Sequence, residues 1–111
     1  MNKITIFKKE DRIVGFEMLG HAGARNDRGV DLVCSALSVL SQNLIFSLID
    51  IAKIKKEYMS IEADERKGYL KLILPEEGSI EEEVLMKSFK LGVETLSDTY
   101  PKHVRIRYRE V

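Results

Sequence analysis

Apolar and polar residues alternate over positions 3–8, where Ile4 and Ile6 stand against Thr5 and Phe7. They alternate again from Ile13 to Leu19, with Val14, Phe16 and Met18 on one face. A period of two predicts strands, and the polar Lys9-Glu10-Asp11-Arg12 between them predicts a hairpin. From Leu32 to about Lys55 the period becomes helical. Val33, Leu37, Leu40, Leu44, Leu48 and Ile51 form one stripe, which Ala36, Val39, Phe46 and Ile49 broaden. A helix apolar over so much of its circumference is either central to its fold or shared with a partner subunit. Tyr58 to Glu62 and Tyr69 to Leu74 predict a second hairpin around Ala63–Gly68, closed by Pro75. Ser79-Ile80-Glu81-Glu82 has capping-box spacing, in which serine and glutamate each satisfy a free N–H. The helix it opens, to about Asp98, packs through Leu85, Phe89, Val93 and Leu96, with Gly92 allowing close approach and Pro101 preventing continuation. A last strand, His103 to Arg109, alternates Val104, Ile106 and Tyr108 with His103, Arg105 and Arg107. The order ββαββαβ predicts the α+β class, a mainly antiparallel sheet packed with two helices.

Composition narrows the function classes. The 111 residues suffice for one domain, 1–111, with one core and no metal or disulfide staple. The single cysteine cannot form an internal disulfide. Eighteen basic and eighteen acidic residues cancel, so no global field draws the chain to nucleic acid. Arg105, Arg107 and Arg109 read as a solvated strand face, and no direct nucleic-acid binding is expected. No apolar run reaches the length of a membrane span, and the start M-N-K-I-T-I-F-K-K is too short and too charged for a signal peptide. A cytoplasmic protein without membrane partners is the expectation.

The chemistry concentrates in Gly20–Ser38, G-H-A-G-A-R-N-D-R-G-V-D-L-V-C-S-A-L-S, which holds Cys34 and one of two histidines, His21. Asp31 is placed as the N-cap of the long helix, which makes Cys34 its third residue. There the free N–H groups and the helix dipole favour a thiolate, while the Asp31 charge opposes it. His21, across a polar loop, could supply the base. A lone cysteine is usually a small core hydrophobe, and a lone histidine beside glycine is usually a loop residue. Their pairing across this loop makes a nucleophile–base reading competitive. His103 is a rival base on the polar face of a strand. The loop lacks the G-x-x-x-x-G-K-[ST] phosphate pattern, one Cys and two distant His do not make a zinc site, and no cofactor is expected. Ser38 lies one turn beyond Cys34 on the same face; Ser35, Ser41 and Ser47 read as small residues that permit close packing.

Gly20-His21-Ala22 followed by Gly29-x-Asp31-Leu32-Val33-Cys34-x-Ala36-x-Ser38 resembles the signature of the bacterial ribosomal-processing cysteine proteases, the Prp family. Two departures are visible: Ser35 stands where the family often has alanine, and the loop from His to Cys is somewhat longer. The resemblance implies a cysteine endopeptidase with Cys34 as nucleophile and His21 as base. It also implies the substrate, the precursor of a large-subunit ribosomal protein (the twenty-seventh), from which a short N-terminal extension is removed, and a homodimer. The oxyanion is expected at backbone N–H groups near the helix start, those of Cys34 or Ser35. Asp31 either caps the helix or orients His21, and Gly20, Gly29, Ser35 and Ser38 are supporting or substrate-loop residues. The loop 22–28 has no apolar residue large enough to hold it against the core, so it is expected to close over bound peptide. Two other classes compete: a non-catalytic ribosome-assembly binding module in which Cys34 is merely packed, and a thiol redox or acyl-transfer protein, for which a resolving thiol is absent.

Overall fold

The computed structural model describes the backbone of residues 1–20 and 28–111, and side chains at 1–20 and 32–111. The elements follow the predicted order: β1 (Asn2–Lys9), β2 (Arg12–Gly20), α1 (Arg28–Asp50), β3 (Ser60–Asp64), β4 (Tyr69–Ile73), α2 (Ile80–Thr99) and β5 (Val104–Glu110). The five strands form one sheet in the order β3-β4-β2-β1-β5. Three pairings are antiparallel, and only β1 with β5 is parallel. The α+β class and the mainly antiparallel sheet are as the patterning predicts.

The core lies between the sheet and the two helices. Ile4, Ile6 and Phe16 from the sheet meet Val33, Leu37, Leu44 and Leu48 from α1, and Met86, Phe89 and Val93 from α2. Phe16 and Phe89 place their ring centroids 4.5 Å apart at 35°, a tilted pairing that adds to simple area burial. Gly92 allows the helices together as expected, since a Cβ there would press on the end of the Leu40 side chain.

Four local expectations need correction. In the first hairpin Lys9 pairs Arg12, so the loop is Glu10-Asp11 alone, with Glu10 at φ 58°. The register then slips, because Phe7 pairs Gly15 while Lys8 pairs Ile13, which leaves Val14 as a bulge. A bulge reverses the alternation beyond it. Ile13 therefore joins Phe16 in the core cluster, while Val14, expected beside Phe16, does not. On the sheet's other face Phe7 is also buried, beneath the Lys71 ammonium 5.7 Å from its ring centroid, a cation–π contact that explains an apolar residue on the outward side.

The long helix runs earlier than expected, starting at Arg28 and ending at Asp50 rather than near Lys55. Its end is set by a chain reversal, in which Lys53 takes φ 60° and Ile54 N–H closes on Leu48 C=O at 3.0 Å. That turn returns Ile54 to the edge of the core. The same helix overturns a further expectation, since Leu32–Asp50, 19 residues of mean hydropathy 1.8, is long and apolar enough to cross a membrane. In the fold Val33, Leu37, Leu44 and Leu48 of that segment pack against the sheet, which is the other setting for such a helix. Finally, the capping box forms only by half. Ser79 Oγ accepts from Glu82 N–H at 3.1 Å, but the Glu82 carboxylate is engaged by Arg12 at 3.0 and 3.3 Å instead of returning to Ser79.

Candidate active site

Three elements meet at Cys34. Asn2 begins β1 and pairs with Gly20, the last residue of β2, and with Val104, the first of β5. The α1 helix crosses this end of the sheet, and the turn of the β3–β4 hairpin closes the opposite side. Between them is a cleft of about 470 Å³ whose lining includes Asn2, Gly20, Cys34, Ser38, Gln42 and Tyr69. Cys34 is half-buried, and Ser38 is exposed one turn further along. Serine four residues after the cysteine thus shares its face, as the spacing predicts.

Two glycines allow the approach that shapes this cleft. A Cβ on Gly20 would collide with Asn2 Oδ1, and a Cβ on Gly68 would collide with the Gly20 carbonyl. Gly68 also takes φ +62°, and its carbonyl accepts from Gly20 N–H at 3.1 Å. The chain therefore leaves β2 toward His21 from a point fixed on both sides. On the rim, Tyr69 OH donates to Glu17 Oε2 at 2.9 Å. That hydrogen bond, with desolvation and the charges of Glu17 and Glu62, pushes the Tyr69 phenol up to about 12.

The sulfur has one side-chain neighbour of hydrogen-bonding type among the described residues. Both amide atoms of Asn2 lie 3.9 Å from Cys34 Sγ. Asn2 is itself buried, 7 % exposed. Its backbone N–H donates to His103 C=O at 2.9 Å, and Nδ2 donates to the same carbonyl at 3.4 Å.

Of the residues singled out in the sequence, Gly20, Cys34 and Ser38 line one cleft. Ser35 does not join them; it lines a separate groove between the helices with Ala36, Val39, Leu40 and Gly92. His21 and the loop 22–27 lie outside the described residues, as do the side chains of Arg28, Gly29 and Asp31. The backbone of α1 nonetheless corrects the capping expectation. With the helix starting at Arg28, Asp31 is its fourth residue rather than its N-cap, and Cys34 is its seventh rather than its third. The dipole's effect fades after the first turn. The N–H groups of Cys34 and Ser35 fall within the i→i−4 ladder, so neither is among the free donors of the helix start.

Asn2 is the residue the sequence reading missed. A signal existed: Asn2, Ile4 and Ile6 share one face of β1 by alternation, so a polar side chain stood at an inward position at the end of the strand that pairs with Gly20. Gly68 and Tyr69, in the second hairpin, carried no signal linking them to the motif.

Comparison with known proteins bears on the whole chain. A family model described as cysteine protease Prp matches residues 1–105. Among solved structures, SMU.848 from Streptococcus mutans is 29% identical with a TM-score of 0.88, over 100% of this chain and 96% of that one. The essential ribosomal processing protease Prp from S. aureus, solved in complex with a substrate peptide, is 18% identical with a TM-score of 0.86, over 98% of this chain and 100% of that one. The same protease with a covalently linked product peptide is 19% identical with a TM-score of 0.84, again over 98% and 100%. At those identities the S. aureus structures establish the shared fold. A search of curated proteins finds no match.

Proposed function

The chain belongs to the Prp family of cysteine proteases, and from that premise we propose that it removes the N-terminal extension of a large-subunit ribosomal protein precursor, with Cys34 as nucleophile and His21 as base. Membership of a protease family decides against the binding-module and redox classes. The observation that carries the assignment of Cys34 is its position in an open cleft of about 470 Å³, next to the strand end from which His21 follows. A ribosomal processing protease of the same fold has been solved with a substrate peptide and with a covalently linked product peptide, which supports a peptide as the occupant here.

The reaction balances with these two groups and water. His21 takes the Cys34 thiol proton as Sγ bonds to the scissile carbonyl carbon, and the C=O electron pair moves onto oxygen. When the oxyanion collapses, the C–N bond breaks and the imidazolium protonates the departing amine. The thioester that remains is hydrolysed by water, with His21 again as base, which frees the new C-terminus and returns the thiol. No cofactor enters any step.

The test is incubation with a peptide spanning the extension of the precursor. Wild type is expected to cleave it, and Cys34→Ala and His21→Ala to lose cleavage. Binding without cleavage, unchanged in Cys34→Ala, would sink the nucleophile assignment. We also place a second copy of the chain on the exposed side of α1, where apolar residues lie uncovered.

A further inference from the structure

An acyl-transfer site needs donors aimed at the oxyanion, and the helix geometry withdraws the two backbone donors expected from the sequence, those of Cys34 and Ser35. The N–H groups of Cys34 and Ser35, seventh and eighth in α1, are committed to the helical ladder. Ser38 Oγ shares the cleft but belongs to an exposed residue. Asn2 is the contrasting case. It is 7 % exposed, and its side chain faces Cys34 Sγ at 3.9 Å.

The orientation of the Asn2 amide is fixed by its other partner. His103 C=O can only accept, so the amide edge turned to it at 3.4 Å must be Nδ2. Nδ2 carries two hydrogens, and one remains for the cleft. The Asn2 backbone is held by the same carbonyl at 2.9 Å and by pairing on both sides with β2 and β5. The absent side chain of Gly20 supplies the space the amide occupies. This is a buried donor held in place before any substrate arrives, the property that makes oxyanion stabilisation effective.

Resting on the proteolytic reading above, we infer that Asn2 is an oxyanion-hole donor, a catalytic residue delivered to Cys34 from the first strand. At 3.9 Å, Nδ2 is too far for a strong bond to the thiol. The separation suits an atom two bonds from the sulfur. When Sγ adds to the carbonyl carbon, the C=O pair moves to oxygen, and that oxygen receives the free Nδ2–H. The bond strengthens as charge develops and weakens when the carbonyl re-forms and the amine leaves. Asn2 neither gains nor loses a proton.

The experiment uses the full chain and the precursor peptide, with Asn2→Ala and the isosteric Asn2→Asp, which keeps the shape but puts a carboxylate where the donor was. In both, kcat is expected to fall by about 10²- to 10³-fold with KM within about threefold of wild type. A peptide aldehyde built on the N-terminal cleavage product, which forms a tetrahedral adduct with Cys34, should lose affinity in step with kcat. Binding of the uncleaved peptide, measured in the Cys34→Ala background with and without each Asn2 substitution, should stay unchanged and so report an intact cleft. A kcat within about threefold of wild type in Asn2→Ala overturns the inference, as does a loss in kcat matched by an equal loss in peptide binding, the mark of a merely structural residue. A wild type inert to peptide and aldehyde alike overturns the proteolytic reading and this inference with it. A wild type that cleaves with Asn2→Ala equal to it overturns this inference alone.

Discussion

Around Cys34 the side chains divide into those that a motif announces and those that only pairing brings near. Cys34 and Gly20 were legible because glycine, histidine and cysteine at this spacing carry a recognisable signature. Asn2 was not, because its closeness to Cys34 comes from the register Asn2↔Gly20, a fact about two strands and not about one stretch of sequence. Tyr69 is similar: its register with Leu19 brings it to the rim of the cleft, and its phenol is pushed up to about 12 by the hydrogen bond to Glu17 first. Tyr108 is pushed up to about 12 chiefly by desolvation, aided by its hydrogen bond to Glu94. Between about pH 10 and pH 12 the unfolded chain has released these protons while the folded chain keeps them, so the native state binds more protons. Stability from these groups is therefore complete below about pH 10 and falls as pH rises toward 12. Absorbance titration should show late ionisation at Tyr69 and Tyr108, with one late transition lost in Tyr69→Phe. A titration curve left unchanged near pH 12 by Tyr69→Phe would contradict the assignment.

Elements were more legible than their joints. Alternation located β1, β2 and β5, the polar turn 63–68 and Pro75 located the β3–β4 hairpin, and helical spacing located α1 and α2, because each of these is a local signal. What escaped were the places where a distant group decides. The Val14 bulge follows from hairpin register, and the end of α1 at Asp50 follows from Lys53 turning back so that Ile54 reaches the core. Glu82 illustrates the point most clearly. Its spacing from Ser79 announces a capping box, yet its carboxylate, with a side chain only 2% exposed, is taken by Arg12 from the β1–β2 hairpin. Arg12 also donates to the carbonyls of Pro75 and Glu76, and so ties the first hairpin to the start of α2. Arg12→Ala should cost about 3 kcal/mol, since it strands a buried carboxylate. Glu82→Gln should cost less, because the amide oxygen can still accept from Arg12. Urea denaturation measures both, and an Arg12→Ala loss below that of Glu82→Gln would contradict this account. Gly68→Ala should destabilise by more than about 1 kcal/mol, through its positive φ and its collision with the Gly20 carbonyl.

For the whole molecule, the two sides of α1 pose different demands. Toward the sheet, Val33, Leu37, Leu44 and Leu48 are buried, and the Cys34 cleft opens beside them. On another side Leu32, Val39 and Phe46, seven residues apart, are 58%, 67% and 61% exposed. Seven residues are close to two helical turns, so these three form a line of roughly 21 Å along the helix. Beside it runs a groove of about 510 Å³ lined by Ala36, Val39 and Leu40 of α1 and Gly92 and Leu96 of α2. The two-helix layer thus covers less of α1 than its sequence makes apolar, as the breadth of its stripe predicts. Uncovered apolar surface of this extent favours association. A second copy is the proposed occupant, and a two-fold axis would set each stripe against its equivalent. Light scattering at micromolar concentration should then give twice the 12.7 kDa chain mass. Phe46→Glu, or Val39→Glu, would bring like charges together across the axis and bury them without partners. Either change should shift the mass to that of one chain while leaving the sheet and core packing, and hence the thermal transition at high dilution, in place. A wild type that scatters as a single chain throughout this range would reject the dimer, and a Val39→Glu/Phe46→Glu chain that remains paired would move the interface to another face.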